Sequence, residues 1–280
     1  MGTTSLFSSG IRPAIDEWLK KESEKIRDYG EYWSASSAGY CMRKNIFERL
    51  GVPPVSEDAR KQRVFSSGHI FHEWLQAITK EAGLSIAQEL ELQDEELMIR
   101  GHFDDLVLVR EFALTDPDGS VAKEEVAQHL ILYDYKTAHS KWFEYVKDRP
   151  MSYYNKMQLG TYMYMLRKIL ESSSYRKVQS IISSNLWNIE QPLTEARILK
   201  ISKDDLRLHE QQLMWSDELE KEVVDYWSQI NRWWADKKIP PCTCADHEGG
   251  FMSKPKWNPY FYEGEPCSLA WHAKWKKEKK

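Results

Sequence analysis

Residues 130–137 read LILYDYKT, a run of apolar and aromatic residues interrupted by one acidic and one basic side chain. Its apolar and aromatic residues predict a buried β-strand. Side chains two residues apart in a strand point to the same face, so Asp134 and Lys136 share one face while Tyr133 and Tyr135 share the other. A carboxylate and an ammonium group beside an apolar run are costly to bury. The stretch therefore predicts either an ion pair at a strand end or a pair with a chemical use.

A second strand, residues 99–104, reads IRGHFD and ends at Asp104. If it neighbours the first strand, its carboxylate lies beside that of Asp134. Two hard oxygen ligands on adjacent strands suit Mg²⁺ or Mn²⁺. A lysine next to such an ion can orient or deprotonate a water molecule.

Two predicted helices each carry a pair of residues four positions apart, a spacing that places both members on one helix face. Gly68 and His72 form one pair, and Gln158 and Tyr162 form the other. The glycine leaves room for close approach of its helix to the sheet. Taken singly, each pair is also what an ordinary amphipathic helix contains.

The hydrophobic patterns predict an α/β fold, with a small mixed β-sheet flanked by helices. The predicted helices are residues 11–29, 37–50, 67–82 and 155–170, and a long one from Ser202, with Asp205 completing a capping box, to about Asp236. The predicted strands are residues 86–92, 97–109, 130–135 and 180–188. We find no repeat and no long linker, so residues 1–280 are expected to form a single domain. We divide it into an N-terminal helical region (1–66), a core (67–185) and a helical arm with a C-terminal cysteine region (186–280).

Composition narrows the class of protein. With 280 residues, 41% hydrophobic and 29% charged, the chain is expected to be globular. Its apolar stretches fall short of the roughly 18–20 residues that a bilayer requires, and its N-terminus shows no signal pattern. We therefore expect a cytoplasmic protein with no membrane partner. A net charge of −4 argues against a broadly basic nucleic-acid coat, and the absence of a Gly-x-x-x-x-Gly-Lys-Ser/Thr loop argues against an ATP-driven motor.

The ordered combination of motifs resembles one family. The series Gly68-x-x-x-His72, Gly101-x-x-Asp104, Asp134-x-Lys136 and Gln158-x-x-x-Tyr162 is similar, over about residues 35–185, to the RecB-like nuclease branch of the PD-(D/E)XK superfamily. The resemblance implies a PD-(D/E)XK nuclease core with Mg²⁺ or Mn²⁺. It also implies roles for individual residues: His72, Asp104, Asp134 and the Tyr135 carbonyl as metal ligands, Lys136 as the catalytic lysine acting with Asp104 and Asp134, Gln158 and Tyr162 as DNA-positioning residues, and Glu89 as a further acidic member.

Four cysteines extend the resemblance. Cys41 lies near the N-terminus, and Cys242, Cys244 and Cys267 lie near the C-terminus. This arrangement resembles that of the iron–sulfur RecB-like nucleases, which include the CRISPR-associated exonucleases and AddB-type nuclease domains. It implies a four-iron four-sulfur cluster that joins the two ends of the fold. The chain departs from the family because 22 residues separate Cys244 from Cys267. Four thiolates also suit Zn²⁺, with His247 as a substitute ligand, and four unrelated free thiols are the remaining interpretation.

The expected function is that of a metal-dependent DNA nuclease, acting as an exonuclease on single strands or free ends. Arg43 and Lys44 are candidates for DNA contacts, although ordinary surface charge explains them as well. One alternative is a noncatalytic DNA-binding subunit that works with protein partners in a recombination, repair or adaptation complex. Another is an RNA-processing nuclease on the same fold.

Overall fold

The computed structural model describes residues 15, 17–19, 30–55, 59–115, 122–171, 193–244, 254 and 258–280. Helices flank two mixed β-sheets, in agreement with the predicted α/β class. The strands are β1 (Trp33–Ser34), β2 (Ser85–Gln88), β3 (Glu91–Asp94), β4 (Ile99–His102), β5 (Asp105–Thr115), β6 (Ala122–Ala138), β7 (Glu195–Ser202) and β8 (Leu208–Met214). The helices are α1 (Met42–Arg49), α2 (Ala59–Glu81), α3 (Ser140–Lys147), α4 (Tyr153–Glu171), α5 (Asp217–Ala235) and α6 (Leu269–Glu278).

The larger sheet has the order β2-β5-β6-β7-β8, with β6 at its centre. Strand β6 pairs antiparallel with β5 and parallel with β7. The predicted strand at 130–135 is confirmed as part of β6, and both its neighbours are long. The parallel pairing aligns Lys136 with Lys200 on β7. Strands β7 and β8 complete this sheet from residues beyond position 185.

The smaller sheet has the order β1-β4-β3. The expectation that residues 86–92 and 97–109 each form one strand of a single sheet is wrong, because each divides between the two sheets. The first divides at Glu89, whose backbone is left-handed (φ 49°). The second divides at Phe103 and Asp104, which belong to neither sheet. There the Asp104 carboxylate accepts a hydrogen bond from the Tyr135 backbone N–H of β6.

The predicted helices at 37–50, 67–82 and 155–170 correspond to α1, α2 and α4, and α2 begins eight residues earlier than expected. Residues 15 and 17–19 are helical, and the rest of the helix predicted at 11–29 lies outside the described residues. The strand predicted at 180–188 also lies outside them. Helix α3 was not predicted.

The long helix predicted from Ser202 to about Asp236 is wrong in its first half and confirmed in its second, which forms α5 (Asp217–Ala235). Ser202 is instead the last residue of β7, and Leu206 adopts a left-handed turn conformation (φ 58°) that leads into β8. The true N-cap is Ser216, whose hydroxyl accepts a hydrogen bond from the Leu219 N–H at 3.2 Å. Pairing with β6 therefore overrides the cap-like pattern at Ser202.

The core lies between the larger sheet and helices α4 and α5. Gly160 permits a close helix crossing, because a Cβ placed there would lie 2.9 Å from a Leu219 methyl group and 3.1 Å from one of Val223. Trp227 is fully buried and donates from Nε1 to Thr161 Oγ1 at 3.0 Å. This packing fixes α4, which carries Gln158, against the sheet. Among the described residues, no helix is long and apolar enough to cross a membrane.

Candidate active site and cysteine centre

Asp134 and Lys136 form an ion pair on one face of β6. Asp134 is 2% exposed, and the Lys136 Nζ lies 3.1 Å from its Oδ1 and 2.9 Å from its Oδ2. Gln158 on α4 donates from Nε2 to the same Oδ1 at 2.9 Å. Oδ2 makes no well-aligned hydrogen bond with any described residue. The buried carboxylate thus retains an oxygen with capacity for a further ligand.

Asp104 lies next to this pair, as predicted, although the strand before it, β4, belongs to the smaller sheet and does not neighbour β6. Its Oδ2 accepts a hydrogen bond from the Tyr135 N–H at 2.5 Å and lies 3.5 Å from His72 Nδ1. His72 belongs to α2, which approaches β6 at Gly68, where a Cβ would lie 3.5 Å from Thr137 Oγ1. Residues from β6, α2, α4 and the turn before β5 therefore meet at one place.

The pKa values of the ionisable groups at this candidate active site follow from their burial and from the short distances between them. Burial raises the pKa of Asp134 to about 6, although Lys136 opposes the rise. Burial alone would lower the pKa of Lys136, but the carboxylates of Asp134 and Asp104 outweigh it and raise that pKa. His72 behaves in the same way, because its contact with Asp104 outweighs burial and raises its pKa. Lys136 is therefore a protonated cation at neutral pH.

Tyr162 and Glu89 occupy different surroundings. Tyr162 is buried against Gly101, where a Cβ would lie 3.1 Å from its ring. Its contribution to the fold is thus close packing of α4 on the smaller sheet, and its contact with DNA stays a prediction. Glu89 lies near Asp104, since Gln76 Nε2 donates both to Glu89 Oε1 at 2.9 Å and to the Asp104 carbonyl at 3.0 Å.

Asp105 was not singled out from the sequence. It is fully buried and accepts hydrogen bonds from Thr79 at 2.5 Å, Ser85 at 2.6 Å and the Tyr135 hydroxyl at 2.8 Å. Because it fixes Tyr135, it also fixes the backbone N–H that holds Asp104. The adjacent Asp-Asp pair was its one sequence signal.

Lys200 was also missed. It is 7% exposed, and its Nζ donates to Gln211 Oε1 on β8. Burial lowers its pKa to about 8. No sequence signal singled it out, since only the register of β6 and β7 places it beside Lys136.

The four cysteines form a second cluster. All are free thiols, and their sulfur atoms lie within 4.8 Å of one another, including 4.0 Å between Cys41 and Cys242 and 3.5 Å between Cys244 and Cys267. Asn258 donates from Nδ2 to the Cys267 sulfur at 3.3 Å. The predicted joining of the two chain ends at the cysteines is confirmed. His247 lies outside the described residues.

This donor set fits a thiolate-bound metal. Around one tetrahedral ion with bonds of about 2.3 Å, sulfur atoms lie roughly 3.8 Å apart, which is close to the observed separations. In a four-iron four-sulfur cluster each cysteine ligates a different iron, so the sulfur atoms must lie farther apart. Contact with Cys242 lowers the pKa of Cys41, whereas contact with Cys242 raises the pKa of Cys244. Four thiolates this close therefore need a cation to ionise together.

Arg43 and Lys44 lie beside the cysteine cluster. Arg43 donates from Nε to the Pro240 carbonyl at 2.7 Å and from Nη1 to the Cys267 carbonyl at 3.1 Å. Lys44 is buried, with its Nζ 2.6 Å from Glu48 Oε1. Arg43 thus ties α1 to the C-terminal region, whereas Lys44 pairs within α1 itself, and the contact of both side chains with DNA stays a prediction.

A short segment connects the cysteine cluster to α4. Tyr40, next to Cys41, stacks on Tyr154 with ring centroids 4.9 Å apart. Gly39 has φ +75°, and a Cβ there would lie 3.0 Å from Met157 Cβ and 3.1 Å from Tyr154 Cα. The first turns of α4, which lead to Gln158, therefore rest on the segment that the cysteine cluster anchors.

The predicted ligands of Mg²⁺ or Mn²⁺ are less tightly gathered than the cysteines. Within the described part of the chain, the cysteines are the one set of three or more His, Cys, Asp or Glu side chains whose ligand atoms all lie within 4.8 Å. His72, Asp104 and Asp134 have the hard oxygen and imidazole donors that such an ion accepts. In this arrangement Lys136 holds the Asp134 carboxylate, so an ion would compete with its ammonium group.

Comparison with known proteins gave no match in sequence and a weak similarity to a solved structure. No protein-family model matches the chain, and no curated protein matches it. Among solved structures, the crystal structure of SSO0001 matches with 14% sequence identity, covering 84% of this chain and 90% of that chain, at a TM-score of 0.45. At that score the similarity supports no statement about activity.

Proposed function

We propose that this protein is a metal-dependent nuclease of the PD-(D/E)XK type that hydrolyses phosphodiester bonds in DNA, with preference for single strands or free ends. The observation that carries the proposal is the meeting of His72, Asp104, Asp134, Lys136 and Gln158 at one place. These residues come from four separate segments. An ion pair of purely structural purpose does not require a histidine, a second carboxylate and an amide around it.

The donor atoms support a divalent ion at this place. His72, Asp104 and Asp134 would hold Mg²⁺ or Mn²⁺, with the Tyr135 carbonyl as the ligand that the family resemblance implies. The ion would polarise a phosphate oxygen and lower the pKa of a water molecule. Asp134 Oδ2, buried and without a well-aligned hydrogen bond, would accept the ion in competition with the Lys136 ammonium group 2.9 Å away.

Three residues of the chain would support the reaction without binding the ion. Lys136 has a raised pKa, so it would align the attacking water and stabilise negative charge on the phosphate rather than remove a proton. Gln158 would hold the Asp134 carboxylate in place. Asp105 would act indirectly, because it fixes Tyr135 and hence Asp104.

We propose a structural role for the cysteine centre. Its thiolates would bind a metal that joins the segment around Cys41 to the C-terminal region. The family resemblance favours a four-iron four-sulfur cluster, whereas the sulfur separations favour a single ion such as Zn²⁺. Elemental analysis and the visible absorption spectrum of anaerobically purified protein distinguish the two.

The test is hydrolysis of end-labelled linear single-stranded DNA with Mg²⁺ or Mn²⁺. Wild type should degrade it, EDTA should stop the reaction, and Lys136→Ala should lower the rate by about 10²–10⁴-fold without loss of folded structure. Slow cleavage of closed circular single strands would support an exonuclease, and equal rates would indicate an endonuclease at the same site. Wild-type cleavage by Lys136→Ala would refute the site, and cleavage of structured RNA alone would favour the RNA-processing alternative.

A further inference from the structure

Helix α3 presents two aromatic side chains to solvent. Its Phe143 is buried and lies near His209, with ring centroids 6.3 Å apart. Trp142 and Tyr145 are 54% and 45% exposed. The helix is therefore anchored through Phe143, and its two large aromatic side chains contribute little to the core.

These two rings are already arranged as a stack. Their centroids lie 4.8 Å apart, with an angle of 22° between the planes, and the Arg149 guanidinium carbon lies 3.6 Å from the centroid of Tyr145. The backbone at Arg149 is held in place, because its carbonyl accepts a hydrogen bond from Gln211 Nε2 at 2.7 Å. Single exposed apolar residues are common on protein surfaces, but an ordered stack that ends on a cation is a more specific feature.

The charge beside the stack favours an anionic ligand. The Glu144 carboxylate is already paired with Lys147 at 2.7 Å and with Arg207. Over the described ranges, no carboxylate lies within ion-pair distance of Arg149. A flat ligand that carries negative charge would gain stacking on Trp142 and attraction to Arg149, and a nucleotide has both properties.

The position of the stack connects it to the candidate active site. Strand β6 carries Lys136, and α3 begins at Ser140, only four residues later. Four extended residues span at most about 14 Å. A nucleic-acid strand with a phosphate at Lys136 would thus pass close to the first turn of α3.

We infer that Trp142, Tyr145 and Arg149 form a base-stacking platform that holds single-stranded nucleic acid beside the candidate active site. This inference rests on the proposed function and specifies its substrate as an unpaired strand, because bases in an intact duplex are already stacked on one another. Stacking tolerates every base, so the platform binds strands without regard to sequence.

The experiment measures binding of a fluorescein-labelled oligo(dT) by anisotropy, without added Mg²⁺ or Mn²⁺ so that no cleavage occurs, and without a chelator so that the cysteine centre keeps its metal. Trp142→Ala should weaken binding about 5- to 150-fold, which corresponds to the loss of one stacked base. Trp142→Phe should retain most of the affinity. Trp74→Ala is the matched control, because Trp74 is similarly exposed (46%) but lies on α2, away from the stack that ends on Arg149. This variant should bind as wild type does. Arg149→Gln should reduce the slope of log affinity against log salt by about 0.7.

Wild-type binding by Trp142→Ala, or equal losses in Trp142→Ala and Trp74→Ala, would overturn the inference. The binding assay also separates it from the proposed function. If Lys136→Ala abolishes cleavage but Trp142→Ala binds normally, the platform is wrong and the nuclease stands. If wild type does not cleave DNA but Trp142→Ala binds weakly, the platform stands and the nuclease is wrong.

Discussion

The substitution Cys41→Ser should reveal how much the cysteine centre stabilises the fold. Cys41 and Cys242 are 201 residues apart in the chain, and their sulfur atoms lie 4.0 Å apart. Closing a loop of that length costs about 5 kcal/mol of chain entropy at 25 °C. A metal that links both residues removes that freedom from the unfolded chain. Loss of the link should therefore lower the free energy of unfolding by up to about 5 kcal/mol, or the melting temperature by roughly 10–20 °C.

The assay is urea unfolding followed by circular dichroism, on wild type and Cys41→Ser, each with its metal and after removal of the metal by a chelator. With metal, the two proteins should differ by about 5 kcal/mol. Without metal, they should differ by less than about 1 kcal/mol, because serine nearly matches the volume of cysteine. The metal content of the variant should fall as well. An equal difference in both conditions would refute the reasoning, since it would show that the Cys41 sulfur stabilises the fold by packing alone.

Two further predictions concern stability. Gly39→Ala should lower the free energy of unfolding by about 2–5 kcal/mol, from left-handed backbone strain and from the clash with α4. Gly51→Ala, with φ +67° but open space around it, should lower it by only about 1–2 kcal/mol in the same urea unfolding assay. Burial lowers the pKa of Lys200 to about 8 from roughly 10.4 in the unfolded chain. Lys200 therefore lowers the free energy of unfolding by up to about 3 kcal/mol, an effect that is fully present below pH 8 and disappears as pH rises past 10. Lys200→Met should thus be more stable than wild type at pH 7 and lose that gain at pH 10.5. Exposed Lys221→Met should show no such pH dependence, and a gain for Lys200→Met that is the same at both pH values would contradict the assignment.

Local patterns were enough to predict β6, α2 and α4 and to bring their polar residues together. A spacing of two in a strand places Asp134 and Lys136 on one face, and the structure shows them paired. A spacing of four in a helix gives His72 a place one turn from Gly68, where the helix meets β6. These relations depend only on the geometry of a single element.

Relations between distant segments could not be predicted. Residues 195–214 form β7 and β8 because β6 offers a neighbouring edge, and the cap-like Ser202 could not reveal that edge. Lys200 is unusual only through its burial beside Gln211. Asp105 is important only through four donors from other segments. Such features arise from tertiary packing, which overrides local preference.

Under the proposed function the Asp134–Lys136 pair acts in catalysis rather than only in folding, and the chain contains a matched control for it. Asp94 ends β3, is buried, and pairs with Lys168 at 2.6 Å in the same manner. The decisive measurement is the rate of Mn²⁺-dependent cleavage of linear single-stranded DNA by wild type, Asp134→Asn and Asp94→Asn, together with their melting temperatures. We predict that Asp134→Asn loses cleavage by at least about 10²-fold while remaining folded, and that Asp94→Asn, although less stable, cleaves as wild type does below its melting temperature. Cleavage by Asp134→Asn at the rate of Asp94→Asn would contradict this role and would show that the Asp134–Lys136 pair is a structural salt bridge.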